Sequence, residues 1–443
     1  MSTKIKTAAL LLCLSTVLLT SGCGDTAEDV PASSAPAESF YFGTEQSTWT
    51  PAPSPSPSPA PTPVPDSSPE PESAEEPASV SLPEEDETNA LDKRIETFLS
   101  QMTLEEKVAQ LFVITPEALT GAGQVTAAGP TTQAAIDDCP VGGLIYMAGN
   151  LISREQCQAM LTNTQAYSME RIGLPMFLSV DEEGGTVARI SGTGKFDVPD
   201  IGDMRDLGDT GDVDAAYSTG ESIGSYLSDL GFNVDFAPVA DVLTNPANTV
   251  VRVRSFGTEP QLVSDMALAV GKGLEDQGVL PVYKHFPGHG ATAGDTHNGY
   301  ASTDKTLAQL WESELIPFQA CVDGGAKVIM VGHISLPNVT GDGTPATLSS
   351  VLITDLLRGE MGYDGIVITD AMNMGAIVDQ YTSSEAAIGA IQAGADLILM
   401  PNDFSTAYQG VLAAVRDGTI SESRIDESLT RILRVKLPMV PAD

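Results

Sequence analysis

The sequence predicts an α/β protein: a single (β/α)8 TIM barrel preceded by a disordered, acidic, Pro-rich linker. Three observations carry that prediction. Eight short apolar runs, rich in β-branched and aromatic residues, recur between residues 111 and 401. Amphipathic stretches such as "EPQLVSDMALAVGKGLEDQG" separate most neighbouring runs; strands alternating with helices imply parallel pairing, and eight of them close on themselves. Titratable residues stand just past the carboxyl ends of the runs, where a barrel of this kind keeps its chemistry.

The chain opens "MSTKIKTAALLLCLSTVLLTSGCGD". Lys4 and Lys6, the apolar run from Ala8 to Leu19 and the small residues before Cys23 make residues 1–22 a signal peptide, too short for a comfortable membrane span. "TSGC" resembles a bacterial lipoprotein box with Cys23 as the lipidated residue. That implies an extracytoplasmic protein held to the cell membrane by its lipid; the alternative is ordinary secretion with Cys23 cut away. Residues 23–90 form the tether. From residue 24 to 90 there is no Lys or Arg, and there are 14 acidic residues and 14 of the chain's 30 prolines. Such a segment cannot bury enough apolar surface to fold.

Residues 91–443 form the folded domain. They hold 46 acidic against 20 basic residues, an excess that argues against nucleic acid and against adhesion to anionic lipid. Their three cysteines, Cys139, Cys157 and Cys321, are odd in number and widely spaced, so they form neither a disulfide framework nor a zinc knuckle and read as core thiols. The first helix carries a capping box, Thr103 with Glu106 three residues on. The strand runs follow: "LFVIT" (111–115), "VGGLIYM" (141–147), "PMFLSV" (175–180), "NVDFAPV" (233–239), "LPVYKHF" (280–286), "KVIMVGH" (327–333), "GIVITD" (365–370) and "DLILMP" (396–401). An open doubly wound sheet would want a glycine-rich phosphate turn after the first strand, and "VITPEALTGAG" is a poor one.

Asp181 follows the third run and Asp241 lies just past the fourth. Lys284 and His285 end the fifth, His333 the sixth and Asp370 the seventh. Each alone reads equally as a helix cap or a rim salt bridge; five strand ends together point to a site. "KHFPGHGATAGDTH" (284–297) holds three of the chain's four histidines. Its glycines and proline exclude a regular helix, so it is a loop carrying titratable groups.

These stretches also carry a resemblance. "VDEEGGTVARI", "GFNVDFAPVADV", "RSFG", "KHFPGHGATAGDTH" and "ITDAMNMGAI" resemble glycoside hydrolase family 3, above all its bacterial β-N-acetylhexosaminidases acting on cell-wall fragments, and the likeness extends over residues 96–437. It implies a retaining enzyme that removes terminal β-linked N-acetylglucosamine. Asp370 would be the nucleophile (its duller reading is the N-cap of the next helix), His297 the acid/base and Asp295 the carboxylate that orients it. Asp181, Arg189, Arg254, Lys284 and His285 would bind the sugar. His289 and Gly288–Gly290 would shape the loop, and His333 would be either a core partner or a support of the site. No cofactor or metal is implied, and a monomer with a carbohydrate substrate is expected. The chain departs from many relatives at "NGYAST" and at Thr296, which bears on specificity more than on mechanism. Ending at Asp443, it is expected to lack the second α/β domain of the larger β-glucosidases.

Other classes fit less well. A barrel metallohydrolase wants a His-x-His pair where the first strand ends in "VITPEAL". A non-catalytic sugar-binding lipoprotein would be expected to lose Asp370 or His297. A phosphorylase or another β-glycosidase of the same family stays open, because a neutral histidine does not repel an incoming phosphate anion.

Overall fold

The computed structural model describes residues 84–293 and 301–440, with side chains from Thr88 onward. The expected signal peptide, Cys23, the tether up to residue 83, and the pair Asp295 and His297 lie outside the described residues. One boundary shifts. The expected tether reaches residue 90, whereas an α-helix spans Glu84–Gln101. Four acidic residues open that helix, where the helix dipole favours negative charge. Further along, Leu91, Ile95 and Phe98 lie on one helical face and pack with Leu174, Leu433 and Leu437.

Each of the eight apolar runs supplies strand. β1 (Phe112–Ile114), β2 (Gly143–Ile145) and β3 (Phe177–Val180) arise from the first three. A short antiparallel hairpin follows, β4 (Glu182–Gly184) with β5 (Val187–Ala188). β6 (Val234–Asp235) is the fourth run, and the fifth gives β7 (Leu280–Pro281) and β8 (Tyr283–Phe286), separated only by Val282. β9 (Ala301–Ser302) pairs with β11 (Ile334–Ser335), which follows β10 (Val328–Val331). β12 (Ile366–Thr369) and β13 (Ile398–Leu399) complete the set.

The strands form a six-stranded parallel sheet, β13-β1-β2-β3-β6-β7, and a three-stranded parallel sheet, β12-β10-β8. The residues of β1, β2, β3, β8, β10 and β12 are buried throughout, which is why these runs are largely apolar rather than alternating; β8 is the exception, with Lys284 and His285 buried in the site. Parallel register sends every carboxyl end the same way. Thus the Asp370 N–H donates to the Val331 carbonyl at 2.8 Å, and residues from separate runs meet above one rim.

Helices cover the sheet. Val213–Leu230 and Pro260–Asp276 lie close together because Gly220 and Gly273 let their backbones approach. A Cβ at Gly220 would strike the Val270 carbonyl, and one at Gly273 the Tyr217 carbonyl. That contact explains two residues that cost an isolated helix about 1 kcal/mol each. The predicted capping box at Thr103 is formed in both directions, with Glu106 N–H to Thr103 and Thr103 N–H to Glu106. Cys157 and Cys321 are buried free thiols and Cys139 is a half-buried one.

At the opposite rim Lys436, on the last long helix, is wholly buried. Its ammonium donates to Gln110 Oε1 at 2.8 Å and to the Gly142 carbonyl at 2.7 Å, and lies 4.7 Å over the Phe177 ring. Burial pushes its pKa down to about 7.

Candidate active site

The carboxyl ends of the strands enclose a cavity of about 320 Å³, lined among others by Asp181, Glu183, Arg189, Arg254, His285, His289 and Asp370. Its apolar side includes Met147, Met330, Met374 and Met400. Met400, just past β13, is the one non-glycine among the described residues with positive φ, at 45°; strained backbone of this kind gathers at functional sites. A larger cavity, about 440 Å³, lies around Met372, Tyr381 and Glu385 and holds none of the predicted site residues.

Asp370 ends β12. Its Oδ1 accepts the Ala371 N–H at 2.7 Å. The next helix, Gly375–Val378, starts from Met374, so Asp370 does not cap it and the duller reading falls. Burial by itself would raise the Asp370 carboxyl, but His333, His285, the Ala371 N–H and Lys284 outweigh it and hold the group below the ordinary aspartate value. An ionised carboxylate thus faces the cavity. His333 supports it from behind. Fully buried, it contacts Thr347 Oγ1 at 2.9 Å through Nδ1 and donates from Nε2 to the Ala371 carbonyl at 3.0 Å.

Across the cavity stands a charged cluster. Glu183 accepts from Arg254 Nε and Nη2, both at 2.7 Å, and pairs with Lys284 Nζ at 2.6 Å. Lys284 also reaches Asp181 Oδ1 at 3.2 Å. Arg189 stands 3.9 Å from Asp181 Oδ2, and its buried Nε has no partner among the described residues. Burial would raise Glu183 and lower Lys284; their mutual attraction, with Arg254 and Asp181, reverses both, leaving each group charged. Planar guanidinium and carboxylate groups with hydrogen-bonding capacity left over suit the hydroxyl-rich edge of a sugar.

A third unit lies beside these. Asp241, fully buried, accepts from His285 Nδ1 at 2.8 Å with one oxygen. With the other it accepts the backbone N–H groups of His285 at 3.2 Å and His289 at 2.6 Å. The carboxylate can only accept, so His285 carries its proton on Nδ1 there, and Arg254 Nη2 lies 3.4 Å from Nε2. Gly290 completes the turn, since a Cβ there would collide with the Val242 carbonyl.

Of the residues expected from sequence, Asp181, Arg189, Arg254, His285 and Asp370 line one cavity, and Lys284 stands behind it on Asp181 and Glu183. Glu183 was missed, although its signal was present. Residues two apart on a strand share a face, so Glu183 joins Asp181, while Glu182 turns away to bind Tyr226, Ser191 and Ile190. Asp241 was noticed as a strand-end acid, but its grip on two histidine backbones follows from the loop path. His289 was expected to shape the loop, and it also lines the cavity. Asp295 and His297 lie outside the described residues; before and after them, the Ala293 N–H donates to the Ser302 carbonyl at 3.1 Å.

Comparison with known proteins agrees with the geometry. Residues 103–435 match the model for the glycosyl hydrolase family 3 N-terminal domain. The chain belongs to glycosyl hydrolase family 3. It is similar to beta-hexosaminidase A of Pseudoalteromonas piscicida, 34% identical over 329 residues, which are 68% of this chain and 54% of that protein. It is also similar to beta-hexosaminidase LpqI of Mycobacterium tuberculosis, 39% identical over 277 residues, 60% of this chain and 69% of the relative. Among solved structures, a family 3 beta-N-acetylglucosaminidase from Paenibacillus sp. FPU-7 superposes with a TM-score of 0.72 at 36% identity, covering 77% of this chain and 64% of the other. The chain therefore spans between half and two thirds of the length of two of these three relatives.

Proposed function

We propose that the protein is a retaining β-N-acetylhexosaminidase that removes terminal, non-reducing β-linked N-acetylglucosamine, with fragments of peptidoglycan as its natural source. The observation that carries this reading is Asp370: an ionised carboxylate at the end of a rigid strand, facing a cavity whose other wall is Asp181, Arg189, Arg254 and Glu183. Retention requires such a carboxylate against the anomeric carbon and a separate proton donor for the leaving oxygen. The relatives named beta-hexosaminidase support the choice of sugar.

In the proposed mechanism Asp181, Arg189, Arg254 and His285 hold the sugar, and Lys284 steadies Asp181 and Glu183 from behind. Asp370 attacks the anomeric carbon and forms a glycosyl ester as His297 gives a proton to the departing oxygen. Asp295 orients His297 and stabilises its imidazolium. His297 then takes a proton from water, which attacks the ester and releases the sugar with its configuration retained. The two parallel sheets would be parts of one closed (β/α)8 barrel. β7 runs into β8 through Val282, and a parallel bridge between Ile368 and Leu397 links β12 to the chain entering β13. Lipid on Cys23 and the tether would hold the domain outside the cell membrane.

The test is turnover of a chromogenic β-N-acetylglucosaminide beside the matching β-glucoside, followed by trapping with a fluorinated sugar. The N-acetylglucosaminide should be preferred and the label should fall on Asp370. Preference for the glucoside would overturn the choice of sugar, and a label on Asp241 would overturn the nucleophile.

A further inference from the structure

His289 is bound on one side of its ring and free on the other. Its backbone N–H is held by Asp241, and its ring packs edge-to-face with His285 at 5.8 Å. Nδ1 lies 3.0 Å from Thr292 Oγ1, and that same oxygen lies 2.9 Å from the His289 carbonyl. Asn248 Nδ2 also reaches that hydroxyl oxygen, at 3.2 Å, and the carbonyl, at 2.9 Å. The threonine hydroxyl has one proton to give, to the carbonyl or to Nδ1. With that proton on the shorter contact, to the carbonyl, His289 Nδ1 supplies the proton toward Thr292. Burial, the largest influence on this ring, lowers its pKa, so the ring is already neutral at the ordinary histidine value. A neutral imidazole protonated on Nδ1 carries a lone pair on Nε2.

That Nε2 is buried and has no hydrogen-bond partner among the described residues. The residue is 2% exposed, yet it lines the same cavity as Asp370 and Arg189. A buried acceptor without a donor costs about 1–3 kcal/mol, a cost that a substrate donor would remove. We propose that His289 Nε2 is a hydrogen-bond acceptor for the substrate, receiving a hydroxyl or amide N–H of the bound sugar, and so helps decide which sugars the site accepts. The inference rests on the cavity being a glycoside site. Arg189 and Arg254 offer the sugar only donors; His289 adds an uncharged acceptor, selective for a group that carries a proton.

Two substitutions separate this role from loop support. Asparagine at this position can keep the Nδ1 contact to Thr292 while deleting the Nε2 atom. Glutamine places a carbonyl oxygen near the Nε2 position and gives up the Thr292 contact. His289→Asn should fold normally, lower kcat/KM about 10- to 100-fold, the loss of one buried hydrogen bond, and raise KM, whereas His289→Gln should recover most of the activity. In a series of monodeoxy N-acetylglucosaminides, the wild type should penalise one position strongly and His289→Asn should not. Full activity in His289→Asn with loss in His289→Gln would make the ring a loop support and sink the proposal. If neither variant folds, ¹⁵N NMR of the wild type decides: Nε2 should be unprotonated in the free protein and shift when N-acetylglucosamine binds, and a protonated Nε2 would overturn the assignment. A wild type that cleaves no glycoside would remove the reading of the cavity and this inference with it; a wild type that cleaves while the two variants behave in reverse would remove only the inference.

Discussion

Replacing Glu183 with glutamine tests whether the charged cluster, and not merely the shape of the cavity, holds the site together. Glu183 has a side chain 2% exposed and makes three charge-assisted contacts, two to Arg254 and one to Lys284. Bonds of this type contribute about 1.5–3 kcal/mol each. Glutamine can keep its oxygen at the Oε1 position, where Arg254 Nη2 and Lys284 bind, and turn its amide donor toward Arg254 Nε alone, so one contact is lost, or about 1.5–3 kcal/mol. The negative charge is lost as well, and the general cost of breaking a buried ion pair, about 3–5 kcal/mol, marks the upper end. Because Glu183 is held far below the usual carboxylate range, its contribution is complete above the unfolded value and lost only in strong acid, so denaturation near neutral pH measures it in full. A second consequence follows at Lys284. Burial lowers that ammonium, and Glu183 is the largest influence opposing it. Without Glu183, Lys284 should lose its proton at lower pH, and kcat/KM should fall on the alkaline side where the wild type is still level. Chemical denaturation and a pH profile of kcat/KM give both readings. A variant within about 0.5 kcal/mol of wild type, with an unchanged pH profile, would refute the reasoning.

Two further outcomes are expected. His297→Ala should slow an unactivated glycoside by about 10²–10⁴-fold and one with a good leaving group far less; azide, which attacks without a base, should restore part of the rate, and Asp295→Ala should show a milder version, whereas equal slowing of all substrates with no azide effect would make that loop structural. Lys436, at about 7 in the folded protein against about 10.4 unfolded, leaves the unfolded chain holding more protons, so stability should rise with pH in that window; from about pH 6.5 to about 8.5 the wild type should gain about 2 kcal/mol relative to Lys436→Met, and parallel curves in urea denaturation would contradict this.

Much of the architecture was legible because strands buried on both faces are largely apolar. All eight runs became strand, and the acids and bases at or just past their ends, Asp181, Lys284, His285 and Asp370, came to one rim because parallel pairing points every carboxyl end the same way. The capping box at Thr103 was equally readable, being a local bond between residues three apart. Partnerships were not readable. That Glu183 belongs to Arg254, 71 positions away, and that Asp241 grips the backbone of His285 and His289, depends on side chains from different strands meeting at hydrogen-bond distance. The start of the first helix at Glu84 also escaped the sequence, because only contact with Leu174, Leu433 and Leu437 gives the Leu91–Ile95–Phe98 face something to pack against. Lys436 shows the limit most plainly. By composition it is one more surface lysine near the end of the chain; only tertiary structure buries it against Gln110, Gly142 and Phe177, because burial depends on which distant segments cover a residue, and no local pattern encodes that.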